Sequence, residues 1–119
     1  MKNRPFGERI RFALCGVKEA WQRENSFRTQ GVVAILVVVG LLALRIPLTW
    51  SAIVILAAAL VLAMELTNAA LEAMIDRLHP ERHADIRAAK DMAAGSVFLA
   101  SIAAVVVGLL MLFSLYSIW

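Results

Sequence analysis

The chain has 119 residues, of which 61% are hydrophobic, with a formal net charge of +3 and a mean hydropathy of +0.77. That apolar share exceeds the norm for soluble domains, so one membrane domain spanning residues 1–119 is expected. Cys15 is the only cysteine, which excludes an intramolecular disulfide and a zinc-type cysteine cluster. The basic residues flank apolar runs, and this arrangement argues against a nucleic-acid partner.

In chain order, Phe6, Ile10, Leu14, Val17 and Trp21 recur at spacings of three and four. Glu8, Arg11, Lys18, Glu19, Gln22 and Arg23 lie between them. The spacing predicts an amphipathic helix over 6–28, too charged to span and suited to anionic headgroups or to the bundle's own flank. No cleavable leader is visible in the first thirty residues.

A first span is expected over about 29–48. Gly31–Leu44 is a short apolar run, and it reaches crossing length if Arg45 snorkels and the helix continues toward Pro47 and Trp50. A second span is expected over about 51–75. Its 25 residues would measure ~37 Å, more than the ~30 Å hydrocarbon core, so the acidic end approaches the surface. Residues 76–90 read as a loop, with Leu78-His79-Pro80-Glu81 ending the helix. A third span is expected over about 91–117, within the uncharged run from Met92 to Trp119. The expected fold is an all-α membrane protein, a surface helix followed by three spans.

Seven of the twelve Lys/Arg precede the first span, four lie between the second and third, and only Arg45 lies in the other connection. The positive-inside rule therefore puts the N-terminus and the 76–90 loop in the cytoplasm and the C-terminus outside. Trp50, Tyr116 and Trp119 would mark the outer interface. A bundle this small needs neighbouring copies to bury several polar side chains.

Glu65, Asn68, Glu72 and Asp76 fall on one stripe of the second span. A carboxylate within a span is costly and marks a working site. Glu24, the loop residues His79, Glu81 and His83, and Lys90-Asp91 converge on the same cytoplasmic interface. Carboxylates with a lysine at such a boundary suit a magnesium-bound polyphosphate. Other uses stay open: Glu72 and Asp76 as interfacial ion-pair partners of Arg77 or Lys90, Asn68 as a helix–helix hydrogen-bonding residue, His79 and His83 as solvated loop residues, and Lys90-Asp91 as a helix-start anchor. The P-loop and protein-kinase signatures are absent.

Glu65-Leu66-Thr67-Asn68-Ala69-Ala70-Leu71-Glu72-Ala73-Met74-Ile75-Asp76 resembles the Glu-x-x-Asn-x-Ala-x-Glu-x-x-x-Asp signature of the prokaryotic diacylglycerol kinase family. Ala89-Lys90-Asp91-Met92-Ala93-Ala94-Gly95-Ser96-Val97 is similar to its second motif. Glu24-Asn25-Ser26-Phe27-Arg28 is similar to its Glu-x-x-Phe-Arg segment. The resemblance covers roughly 6–97.

It implies a homotrimer in the bacterial cytoplasmic membrane, with active sites shared between protomers, that uses Mg2+ and ATP to phosphorylate a lipid hydroxyl. By motif position Glu65 would be the general base, and Glu24 and Glu72 the magnesium ligands. Asn68, Lys90 and Asp91 would organise the nucleotide, with Glu81 and His83 in the nucleotide-contacting loop and Arg9 and Phe12 as N-terminal nucleotide contacts. Ser26 and Arg28 would face the lipid. Ala94 stands where some members carry serine, which leaves one lipid contact open.

Diacylglycerol is the expected acceptor and phosphatidic acid the product. Undecaprenol on the same fold is the alternative acceptor. Two other classes stay open: a small proton-coupled multidrug exporter built around Glu65, and a membrane subunit without catalysis.

Overall fold

The computed structural model describes residues 3–81 and 83–116. Four helices run in order: α1 Phe6–Arg23, α2 Asn25–Ala43, α3 Leu48–Leu78 and α4 Ala84–Leu115. No strand occurs among the described residues. Helices α2, α3 and α4 are each long and apolar enough to cross a membrane. Lys2, Arg82 and Trp119, part of the charge and interface expectations, lie outside the described residues.

The helical segment expected over 6–28 is broken at Glu24, which adopts an extended conformation (φ −112°, ψ 112°) between α1 and α2. Neither proline nor glycine causes the break. Its chemistry lies in Arg28, whose guanidinium donates to the carbonyls of Trp21 (2.6 Å) and Gln22 (3.0 Å) and also to Asn25 Oδ1. In a continuous helix those two carbonyls would accept from the amides of residues 25 and 26. One arginine thus replaces two backbone donors and lets the chain turn. Trp21 folds back over α2, with its ring edge toward Phe27 at a centroid distance of 6.4 Å.

Gly31 makes that return possible. A Cβ there would stand 2.5 Å from Trp21 Cζ3. Gly31→Ala should therefore overpack the α1–α2 elbow and destabilise the fold by about 1–3 kcal/mol. Unfolding in detergent micelles measures the effect, and adding Trp21→Leu to the same chain should recover much of the loss.

Helix α2 ends earlier than its apolar composition suggests. The amides of Arg45 and Ile46 return to the carbonyls of Leu42 (3.3 Å) and Leu41 (3.0 Å), the paired bonds of a Schellman cap. Arg45 occupies the left-handed position at φ 53°, where glycine is usual. Pro47 then starts α3. The span keeps its length because α2 begins at Asn25: 19 residues measure ~28 Å. Arg45→Gly should stabilise the chain by about 1 kcal/mol, since only glycine enters this region freely; an unfolding midpoint that does not rise would refute this.

Helices α3 and α4 contain 31 and 32 residues, ~46 and ~48 Å long, so both outrun a ~30 Å hydrocarbon core. The connection between them narrows to 79–83. His83 caps α4, its Nδ1 accepting from the Asp85 amide at 3.1 Å. Lys90-Asp91 therefore stands well inside α4, nearly two turns from its start, and not at a helix-start anchor.

Helix α3 is the central element. It packs most extensively on α4 and also on α2, while α1 packs on α2 and α3. Helices α2 and α4 do not pack directly against each other, and an apolar groove of about 470 Å³ runs between them with α3 as its floor. Few described side chains are buried: Ala20, Phe27, Leu41, Val61, Ala93 and Ala100, together with Glu65.

Candidate functional site

Glu24 is the hinge between α1 and α2. Its backbone amide donates to the Ala20 carbonyl at 2.8 Å, and its own carbonyl accepts from the Arg28 amide at 3.2 Å. Although Glu24 occupies the N-cap position of α2, its side chain makes no capping bond. The carboxylate is therefore left for another use, beside a helix N-terminus that favours negative charge.

The stripe on α3 lies opposite. Glu65 is 8% exposed and is the only buried charged or polar residue among those described. The carboxylates of Glu24 and Glu72 lie close enough to act on it electrostatically, and the Gln30 side chain of α2 is near enough to interact with it. Asn68 Nδ2 donates to Glu72 Oε1 at 3.5 Å, whereas Asn68 Oδ1 is buried without a protein partner. An unpaired buried amide oxygen is costly, and Asn68 stands between Glu65 and Glu72 on the α3 stripe. None of Glu24, Glu65 and Glu72 forms an ion pair with a basic residue among the described residues.

One turn beyond Glu72 the character changes. Lys90 Nζ pairs with Asp76 Oδ1 at 2.6 Å, joining α3 to α4, and lies within the electrostatic reach of Glu72. Asp76, His79, Glu81, His83, Arg87, Lys90 and Asp91 line a polar hollow of about 730 Å³. His79 Nδ1 lies 3.6 Å from Glu81 Oε1. Two neighbouring groups result, one acidic with Glu65 buried and Glu24 and Glu72 half-exposed, the other mixed in charge and lining the polar hollow.

The structure thus brings Glu24, Glu65, Asn68 and Glu72 together. It also brings together Glu81, His83, Lys90 and Asp91. It does not bring Arg9 and Phe12 to the second group by helix packing, because α1 makes no packing contact with α4. Both residues are exposed. The guanidinium carbons of Arg4 and Arg11 lie 5.7 and 5.6 Å from the Phe12 ring centroid. Ser26 is exposed on the first turn of α2, and Arg28 is engaged with the end of α1.

The donor chemistry fits magnesium arriving with its own ligands. Among the described residues no group of three or more side chains is arranged to hold a metal alone. Magnesium commonly takes one or two carboxylates and completes its shell with phosphate oxygens and water.

Two residues escaped the sequence reading. Gln30 stands immediately before the glycine taken as the start of the first apolar run, so it read as a flank. A lone polar residue on the groove face of α2, repeating through Ala34, Val37, Leu41 and Leu44, was the available signal. Arg87 was counted only as a topogenic charge.

The family model described as prokaryotic diacylglycerol kinase matches residues 11–112. The diacylglycerol kinase of Escherichia coli K12 is 35% identical over 99 residues, covering 83% of this chain and 81% of that protein. A Synechocystis diacylglycerol kinase is 35% identical over 100 residues, 83% of this chain and 57% of the longer relative. The Haemophilus influenzae diacylglycerol kinase is 34% identical over 95 residues, 76% of each chain.

Proposed function

Because the chain belongs to the prokaryotic diacylglycerol kinase family, we propose that it transfers the γ-phosphoryl group of ATP to the free hydroxyl of diacylglycerol, making phosphatidic acid. One observation carries the reading. Glu65 is buried on α3, within electrostatic reach of Glu24 and Glu72, one turn beyond Val61 at the end of the apolar groove and on the stripe that leads to Asp76 in the polar hollow. A lipid alcohol can approach such a point from the hydrocarbon side and a nucleotide from the aqueous side.

In this reading Glu65 accepts the hydroxyl proton as the lipid oxygen attacks the γ-phosphorus, and ADP leaves. Phosphoryl transfer needs mainly alignment and charge neutralisation. Magnesium bound with the nucleotide would supply charge compensation, held by Glu24 and Glu72. Asn68 offers its unpaired carbonyl oxygen to the same region. Lys90 is a point charge for the phosphates, and Asp76 holds it in place. Asp91, Glu81 and His83 line the nucleotide's side, while Ser26 faces the lipid and Arg28 keeps the elbow that presents Glu24.

We place the chain in the bacterial cytoplasmic membrane, with α1 on its inner surface. Phe6, Ile10, Leu14, Val17 and Trp21 of α1 are all exposed in the single chain, which supports a lipid or subunit cover for that face. Assembly as a homotrimer would let Arg9 and Phe12 of one protomer serve the hollow of another.

The test is ATP consumption by the purified protein in mixed micelles, with and without diacylglycerol. Lipid-dependent ADP release with labelled phosphatidic acid is expected. ATP turnover that ignores the lipid, or none at all, would overturn the reading.

A further inference from the structure

The apolar groove and Glu65 are parts of one surface. On α3, Val54, Ala58 and Val61 line the groove, and Glu65 lies one turn beyond Val61 on that face. On α2 the lining positions Gln30, Ala34, Val37, Leu41 and Leu44 form the matching stripe. Gln30 and Glu65 therefore stand together at one end, and among the described residues the lining holds only one other side chain with a nitrogen or oxygen atom, Tyr116, at the opposite end. From Gln30 to Leu44 the groove extends ~21 Å along α2.

Resting on the lipid-kinase reading, we infer that Gln30 is a specificity-determining residue, its amide binding the ester carbonyl next to the acceptor hydroxyl of a glycerolipid. The chemistry follows from the amide's capacity. Glutamine carries two N–H donors and a carbonyl acceptor. One donor can serve the Glu65 carboxylate, which leaves a second N–H at the mouth of an otherwise apolar channel. A lipid whose hydrocarbon enters the groove and whose hydroxyl meets Glu65 carries its neighbouring oxygen atoms past this amide. In a diacylglycerol that neighbour is an ester carbonyl, an acceptor. A dialkylglycerol offers only an ether oxygen, and a polyprenol has no second oxygen, so neither matches the donor as well.

The residue is half-buried, and a donor left unmatched there costs more than one in water. A preference of about tenfold in kcat/KM for the ester lipid over its dialkyl analogue is the scale of one such bond.

The experiment compares wild type, Gln30→Met and Gln30→Glu in mixed micelles. The acceptors are dioleoylglycerol, its dialkyl ether analogue and a polyprenol, with helicity and micellar size checked for each variant. Methionine keeps the length without the amide. Gln30→Met should raise KM for dioleoylglycerol about tenfold and erase its advantage over the ether, with KM for ATP unchanged. Gln30→Glu, an acceptor facing another carboxylate, should also lose the ester preference. Equal losses on all three acceptors would overturn the assignment, because Gln30 would then act only through Glu65. An ester preference that survives in Gln30→Met would overturn it too. Should wild type phosphorylate none of the three, the kinase reading itself fails, an outcome distinct from either of these.

Discussion

Glu65→Gln should reduce lipid phosphorylation by about 10²–10⁴-fold, the usual contribution of a positioned proton acceptor, while the protein remains helical and assembled. Glutamine preserves the shape and removes the charge, so packing on the Val61 side is retained. The decisive measurement is kcat at saturating ATP and diacylglycerol, with micellar size as the assembly control. A variant that keeps most of its turnover would remove Glu65 from the role of base. A membrane subunit without catalysis would show no turnover to lose, and a proton-coupled exporter would lose ATP-independent transport instead.

The second large effect concerns charge. Glu24→Gln and Glu72→Gln should each shift the magnesium concentration for half-maximal activity upward by about 10–100-fold, the range typical when a metal site loses a supporting side chain. The two carboxylates arrive from different places, one from the elbow and one from α3. Both lie within electrostatic reach of Glu65, and neither has a basic ion-pair partner among the described residues. Removing one therefore relieves repulsion as well as removing a proposed magnesium ligand, and the magnesium titration separates the two. Titrations that overlay wild type would show that these acids do not hold the ion. KM for diacylglycerol should change little, since the groove is untouched.

Much of this arrangement was readable beforehand, for a physical reason. An acid inside an apolar run is conspicuous, and helical spacing alone put Glu65, Asn68, Glu72 and Asp76 on one face. The three apolar runs also announced three long helices. Helix ends were less visible. Nothing local marks Glu24 as a break, because the compensation comes from Arg28, four residues later, reaching back to Trp21 and Gln22. The stop at Ala43 depends on a left-handed Arg45, a residue type that does not advertise that conformation. The start of α4 at Ala84 was hidden because charge interrupts apolarity without interrupting helicity. Gln30 was missed because its importance comes from the opposite helix, which no window along one strand of sequence contains.

The scarcity of buried side chains has a consequence for how this chain tolerates change. Leu36, Leu42, Leu56 and Leu99 are all more than half exposed in the single chain, so no interior neighbour within the chain defines what fits there. A saturation survey should yield a lopsided map, permissive across the outward flanks wherever greasiness is conserved. Intolerance should concentrate in one narrow seam from the elbow through Gly31 and Val61 to the acids, where a single methyl group already meets resistance.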